Sequence, residues 1–178
     1  MTFALRPIIC LYVEDIIMSR YYYIDKYGYR CGVDITGEDD DIVVFNSTPN
    51  LSFDLKKHGI KIRRSKHYDY ILSYALKDGQ IFLHSFAARL SFFSGKSQIM
   101  GVTARKLGDG NWSIFNFDDI FVDYSGTLSI GRTFDYRYWN HDEKMTPVPF
   151  SPEVYKENGY MKLEKGIITA KELKNREI

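Results

Sequence analysis

Four histidines (His58, His67, His84, His141) and two cysteines (Cys10, Cys31) are the side chains of this 178-residue chain best suited to metal, nucleophilic or proton-transfer chemistry. Their spacing supports little of it. No HExxH occurs and no two histidines stand four apart, so a zinc site would have to be assembled from distant positions, and no metal is expected. Neither cysteine has a CxxC partner or a neighbouring histidine, which points to buried reduced thiols. GxSxG, GxxxxGK[ST] and GxGxxG do not occur, so no nucleophile elbow or phosphate cradle is expected, and no cofactor. His84 is the histidine to place. Two-residue periodicity within Ile81–Phe86 puts it on one face with Phe82 and Phe86, where an imidazole among aromatics would act as a base with an acid such as Asp123. A hydrogen-bonded or outward-facing histidine is the plainer expectation.

Recognition is better supplied than catalysis. Tyr, Phe and Trp make up 16% of the residues, and clusters at 21–29 and 134–139 offer large contact area at little rotamer cost. Within the second cluster Phe134, Tyr136 and Tyr138 alternate with Asp135, Arg137 and Trp139. Tyr136, Tyr138 and Trp139 are the expected contact residues, with part of the cluster serving as core. The acidic turn Glu38, Asp39, Asp40, Asp41, together with Asp118, Asp119 and Asp123, would mimic phosphates against a basic cleft. The basic run from Lys56 to His67 suits either a phosphate backbone or an exposed sheet edge, where lysines block unwanted strand pairing; the edge is favoured. A net charge of +1 argues against duplex DNA or an anionic membrane as a partner.

The elements that must carry these residues read as β throughout. Tyr21 to Val33 suits a strand bent at a glycine, and Ile42 to Phe45 a short apolar strand before a turn at 46–50. Leu51 to His58 fits a strand or one helical turn stopped by Gly59. Two apolar runs flank Lys77-Asp78-Gly79, the clearest hairpin, and the second run extends toward Phe93. Met100 to Lys106 and Trp112 to Phe115 read as strands, Asn116 to Asp119 as the cap of a brief helical turn, and Tyr124 to Trp139 as further strand. Three prolines mark an irregular crossing over 140–157. A hairpin around Lys165-Gly166 ends in a charged tail at 171–178 that is expected to fray. The expected fold is mainly β: one domain over 1–178, an antiparallel β-barrel or two-sheet sandwich with one or two short helical turns. Residues 1–17 are peripheral, with Met18 a second candidate start. Their six-residue apolar run is too short for a signal peptide or membrane span, so a cytoplasmic protein without membrane insertion is expected.

The hairpin Tyr74–Leu83, the strand pattern Phe121–Gly131 and the closing Leu163–Ile168 resemble small bacterial β-proteins. In general character the chain is similar to the immunity proteins of contact-dependent and other polymorphic toxin systems. That resemblance implies a noncatalytic, cytoplasmic binding protein that neutralises a cognate toxin domain. Many such proteins are acidic, whereas this chain is neutral. Two other readings stand beside it: a calycin-like β-barrel carrying an apolar ligand inside, and an enzyme with a dispersed site including His84.

Overall fold

Burial alternates along β10 and the first half of β5, while β4 is buried along all but its last residue. The computed structural model describes residues 21–36, 41–44, 51, 53–65, 68–91, 98–107, 112–135, 148–149 and 155–176. Among the described residues thirteen strands run in order: β1 (Tyr21–Ile24), β2 (Arg30–Thr36), β3 (Asp41–Val44), β4 (Tyr70–Lys77), β5 (Gln80–Ala88), β6 (Gln98–Ile99), β7 (Val102–Thr103), β8 (Arg105–Leu107), β9 (Trp112–Phe121), β10 (Gly126–Phe134), β11 (Val148–Pro149), β12 (Tyr155–Glu164) and β13 (Ile167–Asn175). Eleven form one curled half-barrel; β6 and β7 pair separately. From β2 the sheet passes through β3, β10, β12 and β13 to β5, and β4 joins β5 back to β2. The corner between β13 and β5 rests on one residue pair, Ile167 with Gln80.

The interior of the curl is packed with side chains. Tyr70, Tyr74, Phe86, Phe115, Leu128, Ile130 and Met161 are fully buried. Phe86 sits at the centre of an aromatic group, its ring centroid 5.1 Å from Phe53, 5.9 Å from Tyr70 and 5.9 Å from Phe115. Burial pushes the Tyr70 and Tyr74 phenols far above their ordinary range. Asp25 and Asp69, both buried, tie loops to this core by accepting backbone N–H groups: Tyr27 and Tyr29 donate to Asp25, Arg30 and Ser65 to Asp69. Tyr70 Oη also donates to Asp25, at 2.8 Å. Cys31 is buried as expected; Cys10 lies outside the described residues.

The Asp78-Gly79 hairpin forms as read, with φ of 49° and 70° at its two central residues, the positive pair that a tight two-residue reversal requires. Leu51–His58 resolves into the helical-turn option. The Asp54 carboxylate accepts the N–H groups of Lys56 and Lys57, while Gly59 N and Ile60 N close onto Lys56 O and Leu55 O, with Gly59 at φ +65°.

Several expectations need correcting. Tyr21–Val33 is two strands joined by a turn at Gly28, because Asp25 captures the chain there. Pairing is not wholly antiparallel: β2 runs parallel to β4, and β1 parallel to β11. Met100 and Gly101, both at positive φ, form a turn instead of strand. The second hairpin strand ends at Ala88. No helical turn forms at Asn116–Asp119, since β9 continues through it with an irregularity in its pairing. The charged tail is ordered into β13, paired with β12 as far as Glu157 with Asn175, and Arg176 reaches the buried Asp135.

Candidate functional site

At one end the outer face of β5 and β9 carries exposed and half-exposed side chains, Phe121, Phe82 and His84 with Lys77 of β4 beside them, whereas Ser85, Ala87 and Ile114 farther along it are buried. Ladder register sets them in rows. Lys77, Gln80 and Ile167 form one, then Ala75, Phe82 and Phe121. Ser73, Ser85 and Asn116 come next, followed by Ala87, Ile114 and Arg105. Phe121 and Ile167 are 44% and 48% exposed, unusual for apolar side chains of that size, and Phe121 meets Phe82 edge to face at 5.9 Å.

Between the Phe82 and Ser85 rows the pairing slips. Leu83 pairs with Ile120 and Ser85 with Asn116, so His84 alone faces three residues of β9; against β4 His84 is likewise the extra residue. The slip reverses the alternation of β5. Ile81 and Leu83 point into the core before it, Phe86 and Ala88 after it. His84 therefore shares the outer face with Phe82 but not with Phe86, a correction to strict two-residue alternation. Asp119 absorbs the extra length of β9 in the left-handed region, at φ 45°, which aspartate tolerates better than most residues.

This irregularity assembles a charge cluster. His84 Nδ1 lies 2.9 Å from Asp119 Oδ1, and the Lys77 ammonium contacts Asp119 Oδ2. An ionised carboxylate only accepts hydrogen bonds, so Nδ1 carries the donated proton. Burial pushes the Asp119 carboxyl upward, but the hydrogen bonds from Lys77 and His84 outweigh it and hold the group below the ordinary carboxylate range. His84 thus pairs with Asp119 and not Asp123. About a third of its side chain is exposed.

The expected contact residues fall in different places. Asp118 and Asp123 are exposed, and Asp118 lies on the outer face of β9. Asp119 is committed to Lys77 and His84, so its charge is not presented bare as a phosphate mimic would be. Asp41 enters β3 opposite Thr36. Glu38, Asp39, Asp40, Tyr136, Tyr138 and Trp139 lie outside the described residues. Among the described residues no cluster of three or more His, Cys, Asp or Glu is arranged to hold a metal ion, and no helix is long and apolar enough to cross a membrane.

Within the basic run, Lys61 to Arg63 pack through their backbone against residues 89–91. Ile62 bridges Leu90, flanked by Arg63 N to Arg89 O at 2.7 Å and Ser91 N to Lys61 O at 3.0 Å. Tyr27 lies under the ammonium groups of Lys26 and Lys56, and Tyr29 under the Arg64 guanidinium. Phe82, Phe121, Lys77 and Ile167 were not legible as site residues, because pairing of β5 with three strands distant from one another in sequence brings them together. Comparison with protein-family models, curated proteins and solved structures finds no match.

Proposed function

We propose that the chain is a noncatalytic protein-binding module whose partner docks on the outer face of β5 and β9 around Phe121. The observation that carries this reading is the Phe82–Phe121–Ile167 group, exposed apolar surface bordered by the Lys77–Asp119–His84 cluster. A desolvated aromatic anchor within a polar rim is the usual anatomy of a binding hot spot. In its narrower form the partner is a toxin domain and the chain its immunity protein, a reading supported by the chain's similarity in general character to such proteins.

Two observations favour this over the alternatives. Fully buried aromatic side chains occupy the curl where a carrier would hold its ligand. His84 lies on an outer strand face, and its carboxylate partner is shared with an ammonium group, a poor setting for a general base that must be kept from water.

Native mass spectrometry of the protein purified gently from its own cells tests the proposal. A stoichiometric protein partner is expected with the wild type and absent with Phe121→Ser. A bound mass of a few hundred daltons, or a partner retained by Phe121→Ser, contradicts it.

A further inference from the structure

Strand β13 lies inside the sheet at its start and becomes an edge from residue 169 on. One side of it pairs with β12 throughout, from Ile167 opposite Glu164 to Asn175 opposite Glu157. On the other side only the first two residues are engaged: Ile167 pairs with Gln80, and Ile168 N donates to Gly79 O at 2.8 Å. There the strand runs past the Asp78-Gly79 hairpin tip, and among the described residues no other strand pairs with it farther along. Arg176 N donates to Lys156 O, next to β12's partner row, and successive residues of a strand direct their N–H and C=O groups to alternate sides. Glu172 and Lys174 therefore bond to β12, while Lys171, Leu173 and Asn175 direct their backbone groups outward.

An open edge of this kind invites a further strand, and lysines on it ordinarily discourage one. Here Lys171 and Lys174 discourage all registers but one. A two-fold axis normal to the sheet sets facing residues on the same face, so a second copy of β13 must pair about a single residue. Centred on Lys171, Glu172 or Lys174, the pairing sets that charge against itself; centred on Asn175, it sets Lys174 against Arg176. Centred on Ala170, it needs the outer side of Ile168, which Gly79 occupies. Centred on Leu173, it sets leucine against leucine, Lys171 against Asn175, and Glu172 against Lys174 on both sides of the axis.

Within one chain Glu172 and Lys174 already form an ion pair at 2.6 Å, with the lysine side chain 77% exposed. About the axis the two pairs would alternate in sign. The two oxygens of Glu172 have room for both ammonium groups as well as the Tyr160 hydroxyl that bonds to it. Leu173, half-buried against the core, would be covered on its open side.

We infer that β13 is a dimer edge: a second copy of the chain adds its own β13 antiparallel, centred on Leu173, and the two sheets become continuous. Lys171, Leu173 and Asn175 then exchange both backbone hydrogen bonds with the residues they face. Pairing with β12 and the contact of Arg176 with the buried Asp135 hold the strand in place beforehand, so little ordering cost opposes association. Residues 171–175 take no part in the Phe82–Phe121–Ile167 group, and the inference does not depend on the docking reading.

Sedimentation velocity of the full chain from about 1 to about 300 µM tests it, a range suited to an interface below about 1,200 Å². A monomer–dimer equilibrium is expected. Asn175→Pro should abolish it without lowering Tm, because the proline removes an N–H that points away from β12. Glu172→Lys and Lys174→Glu should each be monomeric alone, and an equimolar mixture of the two should dimerise, since unlike charges then meet at both facing pairs. An ion pair that serves only its own chain would not restore association on mixing. A monomer throughout the range, a dimer that survives Asn175→Pro, or a mixture no more associated than its components overturns the inference. So does a monomeric chain whose Asn175→Pro variant loses a different protein in native mass spectrometry, which would assign the edge to a foreign strand.

Discussion

Replacing Asp119 separates its two roles, as the left-handed residue of the β9 irregularity and as the anchor of Lys77 and His84. The ion pairs are partly exposed, with Lys77 about half and His84 about a third accessible, so screening limits each to about 0.2–1 kcal/mol. The backbone contribution is separate: a side chain poorly suited to positive φ costs roughly 1–2 kcal/mol, which asparagine and glycine largely avoid. Asp119→Asn should therefore lose about 1 kcal/mol, Asp119→Gly about the same, and Asp119→Ala about 2–3 kcal/mol. Urea denaturation at pH 7 gives the three differences. The pH dependence carries the sign. The folded carboxyl is held below its ordinary value, so its contribution is present above the unfolded value of about 4 and disappears as pH falls through the folded one. The gap between wild type and Asp119→Asn should shrink below about pH 4, while the gap between Asn and Ala persists. Equal stability of the Asn and Ala variants would refute the backbone argument. A wild type–Asn gap unchanged on acidification would refute the electrostatic one.

Gly159 lies where a Cβ would come within 1.8 Å of Glu172 O on the neighbouring strand, so Gly159→Ala should force β12 and β13 apart and cost about 2–3 kcal/mol, read as a lower Tm. Asp69→Asn puts an NH2 group where a fully buried carboxylate accepts two backbone N–H groups, and about 2–4 kcal/mol should be lost in urea denaturation. His84→Ala should leave partner binding within about threefold of wild type, because the imidazole borders the apolar anchor without forming it; calorimetry with the isolated partner measures this.

Much of the fold was legible because local chemistry and tertiary structure agree in it. Asp78-Gly79 admits positive φ, and the apolar runs on either side of it had nothing to do but pair. Asp54 and Gly59 bracket a single turn with a cap at each end, and the structure uses both. What was not legible depends on distant partners. The parallel pairing of β2 with β4 leaves no local trace in either segment. The shift at His84 appears in the pairing with both β4 and β9, and it decides that Phe86 enters the core while Phe82 stays outside. Asp119 read as an exposed acid because sequence shows its charge but not its committed partners. The charged composition of residues 171–175 suggested fraying, yet β12 supplies a full ladder that the composition of the tail does not announce.

Photocrosslinking tests the central claim most directly, that a protein docks on the β5–β9 face around Phe121. Benzoylphenylalanine placed at position 121, and separately at the comparably exposed Tyr160 on β12, is irradiated in the cells from which the chain comes. The account predicts one discrete protein adduct from position 121 and none of that mass from position 160. No discrete adduct at 121, or the same adduct from both positions, would contradict it.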